Sequence, residues 1–297
     1  MTSFKSNEFY NSTNQLNNQS LNIQPPSYEQ TIKPDSLDWE EKFHNVIALH
    51  EINQFYANKI KCLSKFKIVF VFDDSGSMKA TLKKSPLNTY GLKATRWDEL
   101  QYFAKIGIDI ANLFNSNGTD VYFLNGNSVH NVSSFNNLAP YFQRAPSGYT
   151  PLSRVINSVL NNNNPMVLGD KKLLIVVVTD GEPTDDIGKS DIKGFKNVLK
   201  FRHPNIHTTI VSCTDDRITM SYLNNWDRFI PRLDVMDDFV SERKEVFRLK
   251  GSNFPFSFGD YVVKCIIGSI DMAFDQMDET ISFRRSFKKR KDKCPVM

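Results

Sequence analysis

Cysteine is scarce: Cys62, Cys213, Cys265 and Cys294 are far apart in 297 residues, with no CxxC pair and no histidine at zinc-ligand spacing. A disulfide scaffold and a structural zinc site are both excluded as leading readings. Long apolar runs are lacking too. None reaches the roughly 18–20 residues that a membrane-spanning helix needs, and Met1 to Ser6 carry no apolar signal segment. The expectation is a chain made and kept in the cytosol. Basic charge is missing from most of the length. The formal balance is +4, but Arg284 to Lys293 alone holds seven cations and one acid, which leaves the rest slightly negative. A diffuse nucleic-acid-binding surface is therefore not expected. No phosphate-cradling G-x-x-x-x-G-K-[ST] occurs either.

The patterning divides the chain into four. Residues 1–35 are mostly Asn, Gln, Ser and Thr, too poor in apolar surface to offset the entropy of ordering, and read as a disordered arm. Within it, Gln24-Pro25-Pro26-Ser27-Tyr28 has the P-P-x-Y form, with Pro25, Pro26 and Tyr28 as the residues a WW domain would take. Residues 36–62 form a helical lead-in, with Trp39, Phe43, Val46, Ile47, Ile52 and Tyr56 spaced in threes and fours. Residues 63–280 carry the main domain, and 281–297 a polybasic tail.

In the main domain, Phe66 to Phe72 and Leu173 to Val178 are short, apolar and β-branched, as strands covered on both faces are. Further strands are expected at Thr119 to Leu124, His207 to Cys213 and Leu233 to Met236. Helices are expected at Trp97 to Phe114, Leu152 to Leu160, a broken stretch Ile187 to Phe201, Ile218 to Trp226, and a closing Tyr261 to Met277. This alternation predicts an α/β fold, a doubly wound, mostly parallel sheet with helices on both faces.

In such a sheet, ligands sit outside the carboxyl ends of the strands. The first buried strand is followed by Asp73-Asp74-Ser75-Gly76-Ser77 and the second by Thr179-Asp180-Gly181-Glu182-Pro183. Asp73, Ser75 and Ser77 recur at every second residue, and Gly76 permits a tight turn that aims them at one point. Hard oxygens without thiol or imidazole suit Mg²⁺, with Mn²⁺ or Ca²⁺ next in order. The acidic run Glu182, Asp185, Asp186 reads as a solvated rim.

This D-x-S-x-S pattern resembles the metal-ion-dependent adhesion site of von Willebrand factor type A domains, and the resemblance covers about Phe66 to Met277. It implies a Rossmann-like type A fold in which Asp73, Ser75 and Ser77 form the first metal loop. Thr150 of Gly148-Tyr149-Thr150-Pro151-Leu152 is then the second contributor and Asp180 the third. In that family the two serines and the threonine usually contact the metal, and the aspartates act directly or through water. One octahedral position is left for a carboxylate from a protein partner. Together with Arg96-Trp97 and Asp120 to Asn125, the chain also looks like a group of eukaryotic intracellular type A proteins, from which it departs by a polar insertion, Thr81 to Thr95. A binding role rather than an enzymatic one is implied. The alternatives are a metal-dependent hydrolase or phosphotransferase using Asp73, or a domain whose metal is purely structural.

The sequence closes on Cys294-Pro295-Val296-Met297, a C-a-a-X form with terminal Met, preceded by Lys288, Lys289, Arg290, Lys291 and Lys293. Farnesyl attachment at Cys294 plus these cations suffices for stable anchoring at an anionic leaflet, where one lipid chain alone does not. The expected location is the cytosolic face of a cellular membrane.

Overall fold

The computed structural model describes residues 39–271 except 215, 217, 218 and 224. The arm of residues 1–35 and the tail of residues 281–297, with Cys294 and its basic run, lie outside the described residues. Six strands among the described residues are β1 (Phe66–Phe72), β2 (Thr119–Phe123), β3 (Val129–Val132), β4 (Lys172–Thr179), β5 (Ile206–Ser212) and β6 (Leu233–Met236). They form one sheet in the order β3-β2-β1-β4-β5-β6, parallel throughout except for antiparallel β3 at one edge.

Successive strand residues point to opposite faces, and in β1 and β4 both sets are mostly apolar. Ile68, Phe70 and Phe72 of β1 join Leu174, Val176 and Val178 of β4 in one apolar cluster. Val69, Val71, Leu173, Ile175 and Val177 join a second. Ten α-helices among the described residues cover these faces: α1 (Trp39–Leu49), α2 (Gln54–Ile60), α3 (Arg96–Asn112), α4 (Ala139–Phe142), α5 (Leu152–Asn162), α6 (Pro165–Leu168), α7 (Ile192–Phe201), α8 (Trp226–Phe229), α9 (Phe239–Lys250) and α10 (Phe258–Ile267). The first cluster takes its buried helical side chains from α1, α2, α3, α4, α9 and α10, and the second from α5, α7 and α8. The result is a doubly wound, mostly parallel α/β fold with helices on both faces.

Several elements differ from expectation. The helical pattern through Trp39 to Tyr56 is two helices, broken where Glu51 takes a left-handed φ of 53° and Asn53 caps α2 by accepting from the Phe55 and Tyr56 amides. Helix α7 starts only at Ile192, after a loop. In place of a helix over Ile218 to Trp226, the described residues show a single 3₁₀ turn, Ser221–Leu223, then α8 starting at Trp226 after a left-handed Asn225. The closing helix begins at Phe258, three residues before Tyr261, because Ser257 and Asp260 form a capping box, and it ends at Ile267. The remainder of the expected span, from residue 272, lies outside the described residues. Strand β3 and helix α9 had no counterpart in the sequence reading.

Candidate metal centre

Phe72 of β1 lies opposite Val178 of β4, and the ladder continues one step further, with the Asp73 amide donating to Val178 O at 3.0 Å. That register sets Asp73 beside Thr179. Thr179 Oγ1 donates to Asp73 Oδ2 at 2.5 Å, and the Ser75 amide donates to Asp73 Oδ1 at 2.8 Å, so both oxygens of this fully buried carboxylate are engaged. The adjacent Asp74 goes elsewhere. Its Oδ1 accepts from the Asn125 amide at 2.7 Å and from Asn125 Nδ2 at 3.2 Å, tying the first loop to the end of β2.

From Asp73 the polar groups run on without a gap. Ser75 Oγ lies 3.0 Å from Ser77 Oγ, and Ser77 Oγ donates to Asp180 Oδ1 at 2.8 Å. Asp180 is fully buried directly after β4. Thr150 completes the group. A Cβ placed on Gly181 would lie 3.5 Å from Thr150 Oγ1 and 3.9 Å from Ser77 Oγ, so these two hydroxyls converge over a backbone position without a side chain. All five sequence-predicted oxygen donors are therefore brought to one place.

Thr150 is fixed from both sides. Its amide donates to Thr184 Oγ1 at 3.0 Å, and the Thr184 amide donates back to Thr150 O at 2.9 Å. Gly148, at φ +99°, lets this loop turn against Asn125, whose Oδ1 would lie 2.4 Å from any added Cβ. The Gly76 amide donates to Gly148 O at 3.1 Å and the Ser147 amide to Asp74 O at 2.7 Å, so the first and second loops are joined through backbone.

The electrostatics favour a cation. Burial first, and then the neighbouring Asp180, push the Asp73 carboxyl up to about 7, the signature of two carboxylates sharing a dry site. A positive charge beside Asp73 favours its ionised form. Two carboxylates and three hydroxyls fit a hard divalent ion, whereas a group of three or more His, Cys, Asp or Glu side chains able to hold a metal is absent among the described residues. One cation is already present: Arg96 Nη1 stands 2.5 Å from Asp180 Oδ2, and Arg96 Nε has no hydrogen-bond partner. The acidic rim is engaged locally. Asp186 pairs with Arg154 at 2.8 Å, Glu182 accepts from Ser190 Oγ, and Asp185 accepts from the Ile187 and Lys189 amides.

Thr179, Thr184, Asn125 and Arg96 were not assigned site roles from the sequence. Thr179 follows from the β1–β4 register, and Arg96 was visible only as part of a motif, 84 positions from Asp180.

No protein-family model matches the chain, and no curated protein is similar to it in sequence. Among solved structures it is similar to a mutant of the PilB minor pilin from Streptococcus sanguinis, at a TM-score of 0.40 and 13% identity over 73% of this chain. The match spans 61% of the pilin chain, less than two thirds of its length. It is also similar to the manganese-loaded TRAP protein of Plasmodium vivax, at a TM-score of 0.36 and 13% identity, covering 59% of this chain and 69% of that one.

Proposed function

We propose that this chain is an interaction module that holds a divalent cation, Mg²⁺ in the cell, through Asp73, Ser75, Ser77, Thr150 and Asp180, and binds a protein partner through it. The observation that carries the reading is the convergence of three hydroxyls on two buried carboxylates at adjacent strand ends. When bound, the ion supplies an open octahedral position that a partner's carboxylate fills. The protein's own residues keep that position fixed: Thr184 and Asn125 hold the Thr150 loop, and Thr179 orients Asp73.

Binding is favoured over catalysis by the residue at position 75. A phosphotransferase with an aspartyl nucleophile carries a second acid two residues on, and here that place is held by Ser75. Attachment at the cytosolic face of a membrane through Cys294, with Lys288, Lys289, Arg290, Lys291 and Lys293 on an anionic leaflet, is part of the same proposal. So is recruitment of a WW-domain protein by Pro25, Pro26 and Tyr28. The module would then act as a membrane-tethered adaptor.

The test is affinity capture with wild type and a Ser75→Ala/Ser77→Ala pair, each in Mg²⁺ and in EDTA. Proteins retained only by wild type in Mg²⁺ are the expected result. Equal retention in all four conditions rejects the reading. Loss of thermal stability in EDTA with no protein released would leave the metal a structural role alone.

A further inference from the structure

We infer that Arg96 is a built-in counter-cation of the centre: it competes with the divalent ion for Asp180 and leaves the ion-loaded centre with a preference for an anionic ligand. The inference rests on the metal-binding reading above and adds a residue outside the five donors.

The geometry assigns this role to one side chain. Arg96 is the first residue of α3, and its amide donates to Ala80 O at 2.9 Å. On its N-terminal side the Thr81 to Thr95 segment is closed at its base, where the Leu82 amide donates to Ala94 O at 2.9 Å. The backbone position of Arg96 is thus fixed at both ends, and its side chain, 14% exposed, points inward to Asp180. Asp180 divides its two oxygens: Oδ1 accepts from Ser77, and Oδ2 faces Arg96. An ion that recruits Asp180 must share it with a guanidinium or displace one. The displacement is eased because Arg96 Nε makes no hydrogen bond, so the guanidinium is held at one end only. Glu99, three residues on along α3, accepts from Ser85 Oγ at 2.6 Å, on the side of the inserted segment.

Charge counting gives the second half. Asp73 and Asp180 together balance a dication. Arg96 adds a further positive charge beside them, which favours an incoming carboxylate. Without the ion, the same arginine neutralises Asp180. A residue that disfavours the ion and favours the anion couples the two binding events, and linkage makes that coupling reciprocal.

The experiment is calorimetric titration of Mn²⁺ into the full chain as wild type, R96Q and R96K, each without and with acetate as the carboxylate probe. R96Q should bind Mn²⁺ roughly tenfold more tightly than wild type, with R96K between them because it keeps the charge but loses the rigid fork. Acetate should tighten Mn²⁺ binding by wild type more than by R96Q, where only coordination to the ion remains. Equal or weaker Mn²⁺ binding by a folded R96Q overturns the inference while leaving the metal site standing. If R96Q does not fold, R96K decides: tighter than wild type supports the role, and equal affinity overturns it. Absence of Mn²⁺ binding in all three proteins rejects the metal-binding reading and this inference with it.

Discussion

Two neighbouring aspartates, Asp73 and Asp74, have the same chemistry and opposite fates. One faces Thr179 across the β1–β4 ladder; the other faces Asn125 beyond β2. One further ladder bond beyond β1, from the Asp73 amide to Val178 O, sets Asp73 beside Thr179 as a proposed donor and leaves Asp74 to fasten the loop to Asn125. The same scale governs His207, which is buried in β5 with Nδ1 2.7 Å from Ser269 O and its ring edge-on to Phe66 at 5.1 Å. Burial first, with Lys172, Arg232 and Arg202 adding to it, holds its pKa below 6.5, against the opposing bond to Ser269 O. The unfolded chain therefore takes up this proton before the folded one does. The stability His207 contributes is fully present above about pH 6.5 and is lost as pH falls toward the folded value, by at most about 1.4 kcal/mol per pH unit. Urea denaturation between about pH 7.5 and about pH 5.5 should show this slope for wild type and a shallower one for H207Q. Identical slopes would show that His207 is not its source.

Among the elements, α10 is buried at every one of its ten residues, including Lys264. Lys264 Nζ meets Glu242 Oε2 of α9 at 2.5 Å, and Glu242 Oε1 accepts from the Asp237 amide at 3.0 Å. Burial pushes the Glu242 carboxyl up, and Lys264 opposes it. Removing one partner strands the other in a dry contact, so K264M should cost about 3–5 kcal/mol. K264M/E242Q, which keeps an acceptor for the Asp237 amide, should recover much of that loss in chemical denaturation. A single variant as stable as wild type would mean that the pair does not fasten the two helices.

This pair also explains why α9 escaped the sequence reading. Its buried positions are Phe239, Glu242 and Val246, and a glutamate in the buried stripe interrupts the apolar period unless its partner 22 positions on is known. Edge strand β3 was hidden for a related reason: of Val-His-Asn-Val, only the last residue is buried. The break between α1 and α2 carries no Gly or Pro, because Glu51 itself takes the left-handed turn. Elements with unmixed chemistry were legible. Strands β1 and β4 announce themselves by apolar runs, and four of the five proposed donors, Asp73, Ser75, Ser77 and Asp180, stand in the loops directly after them, with Thr150 in the loop before α5. Thr179, Thr184 and Arg96 were not, since their roles arise from register and from loops that meet only in the folded chain.

At the scale of the whole molecule, the central strands β1 and β4 deliver both carboxylates to one end of the sheet, and the Gly148–Thr150 loop closes over them. Exposed Tyr149 and Ile187 stand in the loops around that end. No helix among the described residues is long and apolar enough to cross a membrane, so membrane attachment in this account depends on the tail beyond them. Everything else depends on the centre holding an ion. The direct measurement is an anomalous difference map from crystals of the protein grown with Mn²⁺. The account predicts one peak, roughly 2.0–2.6 Å from Ser75 Oγ, Ser77 Oγ and Thr150 Oγ1, with Asp73 and Asp180 alongside. A map with no peak there, or with the ion bound elsewhere on the surface, would contradict it.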